Sequence, residues 1–346
     1  MPDMAAPFSI KPNRFVVFMF DDMHQTIEDL AATKNAGTRL LASSLLDSTW
    51  LVVAMSGKPN SGLTTDRAKH HDAIMALQPR TLYRTGNADC PNIDYYQADL
   101  IENKHDSGAL QDAVGQILAC SPTLPAIAET QAHLAAKRVL TASQQDIQVT
   151  FSSIAEFVRR MASLPGQRVL ILVSPGFLTI SPESLTAESH IIYLAAQSNV
   201  TISALDARGV YTTQATASDD TRGRDPGEMG ELRRAGMALA SGPLLELSDG
   251  TGGILVQNTN DLDAGLKRLA EAAECTYVLE PSDNMKLDGS YHRLGVKVAL
   301  DGARAQARRG YFMRKPGKKN SASASLQKCR WPQTAFLELT FQACRW

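Results

Sequence analysis

Arg14-Phe15-Val16-Val17-Phe18-Met19-Phe20-Asp21-Asp22-Met23-His24-Gln25-Thr26 decides the architecture. A continuous apolar run ends in two carboxylates, and a hydroxyl follows four residues after the second. Beyond it, Ile27, Leu30, Ala31, Leu40, Leu41 and Leu45 fall near one face of a helix. The pattern predicts a buried parallel strand, a polar loop at its carboxyl end, and a helix. Open α/β sheets bind ligands at that edge, so Asp22, His24 and Thr26 become candidate site residues.

Three further runs predict interior strands: Trp50 to Met55, Val169 to Val173, and Val200 to Leu205, with a shorter one at Gly253 to Val256. Helical patterns separate them. Asp66 to Leu77 follows the candidate caps Thr64 and Thr65, and Ser184 to Gln197 and Asp261 to Ala273 are similar. Glu228 to Leu247 is another, with Gly242-Pro243 as an expected interruption. Strands alternating with helices predict a mainly parallel, doubly wound sheet covered on both faces. A helical insert is expected over about 90–164, with two short helices between Cys90 and Cys120 and a long one from Ala126 to Leu164. Leu294 to Leu300, the Asp301-Gly302 turn and Ala303 to Ala307 predict a small antiparallel hairpin. This divides the chain into a leader at 1–13, an α/β domain at 14–273, a β addition packed on it at 274–314, and a tail at 315–346 that is either disordered or foreign to the rest of the pattern. Cys329-Arg330-Trp331 recurs as Cys344-Arg345-Trp346, an echo with no physical reason that we can identify.

The chain has 346 residues, 44% hydrophobic and 21% charged, with a formal net charge of -1. That balance is ordinary for a globular protein and gives no electrostatic case for a nucleic-acid partner. No apolar run approaches the roughly 20 residues that span a bilayer. Met1-Pro2-Asp3-Met4 lacks a basic n-region, so the sequence taken literally predicts a cytoplasmic chain. The five cysteines form no C-x-x-C pair, which argues against a zinc site. Cys90 and Cys120 either pair in an oxidising compartment or remain free thiols.

In order along the chain come Phe20-Asp21-Asp22-Met23-His24, Thr64-Thr65-Asp66-Arg67, Leu164-Pro165-Gly166-Gln167-Arg168 and Val173-Ser174-Pro175-Gly176-Phe177. Leu205-Asp206-Ala207-Arg208-Gly209, Thr251-Gly252-Gly253, Tyr277-Val278-Leu279, Asp288-Gly289 with Tyr291-His292, and Ala307-Arg308-Arg309-Gly310-Tyr311 follow. This ordered set resembles the bacterial VWFA-related family, common in Acidobacteria. The resemblance implies a von Willebrand A-like fold: a mostly parallel sheet with one short antiparallel edge strand. It also implies a protein-interaction role, an exported location and no assigned reaction. Relative to typical members, the chain looks N-terminally short, like a fragment.

The first loop, Asp22-x-His24-x-Thr26, is similar to the Asp-x-Ser-x-Ser of that fold's metal-ion-dependent adhesion site. A second loop offers Asp106 or Ser107, and a third offers Ser174 where the family has aspartate. Hard cations want oxygen ligands, whereas imidazole suits softer metals. The expected site is therefore degenerate: Asp22, His24, Thr26, Asp106 and Ser174, with no resident cofactor expected and Mg2+ or another divalent cation as the candidate. The same residues have a plainer reading, in which Thr26 and Asp29 form a helix-capping box and His24 bonds a carboxylate.

Enzyme readings are weaker. Gly250-Thr251-Gly252-Gly253 precedes a strand, unlike a dinucleotide loop. Ser174 follows a strand as a hydrolase nucleophile would, but its surroundings lack the first glycine of G-x-S-x-G. His292 has no visible acid partner, and His70-His71-Asp72 reads as a solvated helix face. The expected function is a non-catalytic module binding an unidentified protein. A serine hydrolase using Ser174 and a non-functional remnant are the alternatives.

Overall fold

The computed structural model describes residues 14–42, 49–80, 90–212 and 221–271, with short strand segments beyond them. Five strands, β1 (Arg14–Phe20), β2 (Thr49–Ala54), β3 (Gln167–Ser174), β4 (Val200–Asp206) and β5 (Leu255–Val256), form one parallel sheet in the order β2-β1-β3-β4-β5. The order reverses between β1 and β3, which is the crossing point where such sheets bind ligands. Phe20 lies beside Ala54 on one side and Val173 on the other, so the Asp21-Asp22 loop emerges at that point.

Alternation along the strands supplies two cores. Val17, Met19, Leu170, Leu172 and Ile202 face one layer; Val16, Phe18, Phe20, Ile171 and Val173 face the other. Each fully buried Leu, Ile, Val or Phe contributes about 1.5–3 kcal/mol. On the second face lie α1 (Ile27–Ala42), α2 (Arg67–Met75) and α8 (Leu262–Ala270). The first is covered by α3 (Tyr95–Glu102), α4 (Ser107–Cys120), α5 (Pro125–Met161), α6 (Pro182–Gln197) and α7 (Pro226–Thr251). This is the doubly wound arrangement that the alternation predicted.

Where the resemblance implies a short antiparallel edge strand, the described residues beside β2 show one antiparallel bridge, Val53 to Asn60. There the chain turns back on β2: Ser61 N–H donates to the Val52 carbonyl and Ala54 N–H to that of Pro59. The helical insert is only half an insert. The last four turns of α5, with Ile147, Phe151, Ile154, Phe157 and Val158 buried, are core to the sheet. Its first half packs on α3 and α4, where buried Asp112 accepts from Gln97, Gln116 and Arg224. Cys90 and Cys120 are disulfide-bonded, closing this segment.

Several local expectations are corrected. Ile27 and Ala31 are exposed, because α1 buries Leu30, Thr33, Ala36, Gly37, Leu40 and Leu41 instead; Leu45 lies outside the described residues. Asp66, not Thr64 or Thr65, caps α2. His70 is buried, not solvated, since it shares the inward face with Ala73 and Ile74; its Nδ1 meets Ser61 Oγ and its Nε2 the Thr64 carbonyl. Only His71 and Asp72 are on the exposed side. Pro243 does not interrupt α7, which runs through it to an αL cap at Gly252. In the turns before Pro243, the Met237 and Ala240 carbonyls accept from Arg208 Nη1 and Phe177 N–H, so outside donors hold that stretch of helix.

Past residue 271, β6 (Cys275–Leu279), β7 (Tyr291–Arg293), β8 (Ala305–Gln306), β9 (Gly310–Phe312) and β10 (Leu337–Phe341) are described. β10 pairs antiparallel with β6 and β8, and β7 with β9. β10 falls in the tail expected to be disordered, where Leu337, Leu339 and Phe341 give the alternation a strand needs. The Asp301-Gly302 turn lies outside the described residues.

Arg14 closes the opposite edge. Buried at the start of β1, it donates to the last carbonyls of α8, at Ala270 and Glu271. A cation there satisfies groups that a helix end leaves open. Burial pulls its guanidinium down to about 10.

The disulfide links residues 30 apart in sequence. Replacing both cysteines by serine is expected to lower unfolding free energy by about 3–4 kcal/mol, the chain-entropy value for such a loop. Urea unfolding of the oxidised wild type and the double variant checks this.

Candidate functional site

Asp21 is the hub of the carboxyl edge. Its carboxylate has no exposed surface and collects four donors. Met23 N–H and His24 N–H reach Oδ1 at 3.0 and 2.9 Å. His24 Nδ1 lies 2.9 Å from Oδ2, and Ser174 Oγ donates to the same oxygen at 2.6 Å. Ser174 in turn accepts from Gly176 N–H at 3.0 Å. The loop after β1 is thereby tied to the end of β3. Gln25 adds a second tie, donating to the Val173 carbonyl at 3.0 Å while its own oxygen accepts from Thr33.

Asp22 turns the other way. Its carboxylate, equally buried, accepts from Ser56 N–H at 2.9 Å and Ser56 Oγ at 2.5 Å, just beyond β2. Arg80, itself exposed, holds its Nε 3.9 Å from Oδ2 and donates its N–H to the Asp22 carbonyl. Adjacent carboxylates thus serve opposite neighbours of β1.

The loop after β3 finishes the site. Gly176 has a φ of 88°, and a Cβ there would overlap the Ala240 carbonyl of α7. Only glycine allows both that conformation and that approach. Phe177 is thereby placed with its ring 5.6 Å from the His24 ring and 5.4 Å, edge-on, from Phe151 of α5. After β4, Asp206 receives Arg208 through Nε and Nη2, at 2.9 and 2.6 Å. The guanidinium also packs over Tyr211, 4.6 Å from its centroid.

The charges follow from this wiring. Burial alone would raise the Asp21 carboxyl, but the His24 charge and the hydrogen bonds from His24 and Ser174 hold it below its ordinary value. For Asp22 burial prevails: despite the Ser56 hydrogen bonds its carboxyl is raised, with the Asp21 charge adding to the shift. Burial would lower His24, yet the Asp21 carboxylate, with Asp146 and Asp22 behind it, raises its pKa. The site therefore favours the protonated form of His24.

The residues nominated for a metal ion are dispersed by the fold. His24 and Ser174 converge, but on Asp21. Thr26 is exposed and its Oγ1 accepts from Asp29 N–H at 3.1 Å, the capping role at the start of α1. Asp106 caps α4, accepting from Ala109 N–H at 2.8 Å. Among the described residues no three His, Cys, Asp or Glu side chains gather as metal ligands would. With both oxygens of Asp22 directed to Ser56 and the Ser174 proton given to Asp21, these side chains do not fit an octahedral cation as they stand.

Ser56, Gln25, Asp146 and Phe177 escape sequence reasoning. Phe177 and Ser56 carry a weak signal, since each follows closely on a sheet strand, but nothing local assigns them partners. Asp146 lies mid-helix, and only the packing of α5 brings its charge near His24.

No family model matches the chain, and no curated protein matches it.

Removing the hub leaves buried donors unpaired, so Asp21→Ala is expected to destabilise by about 3–5 kcal/mol. The His24 contribution is complete below its ordinary value of 6.5 and is lost as pH rises through the raised folded value. The Asp21 contribution holds above 3.8 and is lost as pH falls through the lowered folded value. His24→Gln should therefore flatten the alkaline limb of a stability–pH curve measured by denaturant unfolding and, because the His24 charge is what lowers Asp21, weaken the acid limb as well.

Proposed function

We propose that the chain is a von Willebrand A-like protein-interaction module, akin to the VWFA-related family, whose partner surface is the carboxyl edge of the parallel sheet. The observation that carries the reading is a buried, hydrogen-bonded loop at the reversal of strand order with exposed apolar side chains on the elements around it. Asp21, Asp22 and Gln25 are buried and hydrogen-bonded, while Ile27 at the start of α1 and Val210 after β4 are 58% and 63% exposed. The Asp206 charge reaches the Asp29 carboxyl, so the start of α1 and the end of β4 are neighbours. Arg80 adds an exposed cation at the same edge.

The one-residue antiparallel return on β2 lies where a von Willebrand A sheet carries its short antiparallel strand, which supports that fold. The buried Asp21–His24 ion pair supports docking without a resident metal: the imidazolium supplies positive charge where a cation would otherwise serve. A disulfide at Cys90 and Cys120 suits an oxidising compartment, in keeping with export. Catalysis by Ser174 has less support. Its hydroxyl is fully buried and donates to Asp21 Oδ2, the oxygen that His24 Nδ1 also meets, so the imidazole is engaged by the carboxylate and the hydroxyl has no exposed surface to offer a substrate.

Wild type, Ile27→Asp, Val210→Asp and, on the exposed side of α5, Leu134→Asp are to be compared in affinity capture. Both edge variants should lose the captured protein and Leu134→Asp should keep it. Equal capture by wild type and both edge variants would overturn the surface. For the ion, linkage gives a direct reading: a folded-state ligand at about 100 times its Kd adds about 2.7 kcal/mol. Millimolar Mg2+ should shift the melting temperature little. A large shift that disappears in Asp22→Ala would restore metal-dependent adhesion.

A further inference from the structure

We propose that Glu188 is a proton-operated latch by which α6 holds the Phe177 loop in place. Glu188 sits on α6 at 2% exposure, and its Oε1 has no hydrogen-bond partner. The side chain does bond Thr179, which belongs to the loop between β3 and α6. That loop also carries Gly176, pressed on the Ala240 carbonyl of α7, and Phe177, whose N–H donates to the same carbonyl at 3.1 Å. The carboxyl group therefore joins α6 to a loop that is itself bonded to α7.

The two helices approach closely one turn beyond Glu188, although Glu246 itself is exposed. A Cβ on Gly250 of α7 would lie 2.7 Å from Cγ2 of Ile192 on α6. One turn earlier on each helix stand Glu188 and Glu246. Glu246 is the charged side chain that acts on Glu188 from α7. Among the described residues, α5, β4 and the loop contribute no charge that shifts it, and Glu183 and His190 of its own helix are exposed. Burial and the Glu246 charge both push the Glu188 carboxyl up, to about 7, against the Thr179 hydrogen bond.

The direction follows from linkage. The closed state keeps the proton from the ordinary value of 4.5 up to about 7, whereas an opened latch releases it. Raising pH through that interval favours opening, and the effect levels off above it. Opening frees the Phe177 N–H from Ala240 and lifts the ring from His24, so the site would lose its wall near neutral pH.

Hydrogen exchange of the Phe177 amide in the full chain reads this directly. After correction for intrinsic exchange, wild-type protection should fall about tenfold or more between about pH 5 and about pH 7, then level. Glu188→Gln, nearly isosteric, should show no such fall. Glu246→Gln should show a smaller fall that ends at lower pH. Carbon NMR of the wild-type Glu188 carboxyl should show titration near neutrality. An ordinary glutamate titration, or the same fall in Glu188→Gln as in wild type, would overturn the latch.

Discussion

A single buried carboxylate, that of Asp21, sets the geometry of the functional edge. Charge in an apolar interior is tolerated only when donors surround it. Here the donors come from the loop's own backbone, from His24, and from Ser174 on the neighbouring strand. Their cost of separation is what keeps the ends of β1 and β3 in register at the place where the sheet changes direction. Asp22, next along, performs the same service towards β2 through Ser56. Two adjacent side chains thus staple β1 to both of its neighbours.

This arrangement changes the meaning of an acidic loop at a strand end. Paired carboxylates in that position suggest a cation from outside. In this chain the neutralising charge is covalent, an imidazolium three residues away, and it is shielded by the Phe177 ring. The edge therefore carries its own counter-charge while His24 is protonated, and its exposed chemistry passes to the apolar residues around the rim.

Much of the fold was legible because burial on both faces leaves a plain record. Runs such as Val169 to Val173 can only be interior strands, and the spacing between them leaves room for a helix each time. The site was less legible because hydrogen bonding is decided by partners distant in sequence. Asp22-x-His24-x-Thr26 reads as three ligands in a row. The fold directs the first to Ser56, the second to Asp21 and the third to the amide of Asp29. Pro243 misled for a related reason: its effect on a helix depends on whether outside donors reach the carbonyls nearby, and Arg208 and Phe177 do. His70 illustrates the converse, a polar residue whose burial is masked in sequence by the exposed His71 and Asp72 beside it.

The uninterrupted course of α5 has a mechanical consequence. Thirty-seven residues in one helix span about 55 Å. At one end the helix is braced by α3, α4 and a disulfide-closed segment; at the other, Phe151 touches Phe177, which touches His24. A strut of this kind bends only by giving up hydrogen bonds along its length, so its ends move together. Load applied at the distant helical layer arrives as torque on the aromatic wall of the carboxyl edge, and strain at that edge is carried back along the same beam.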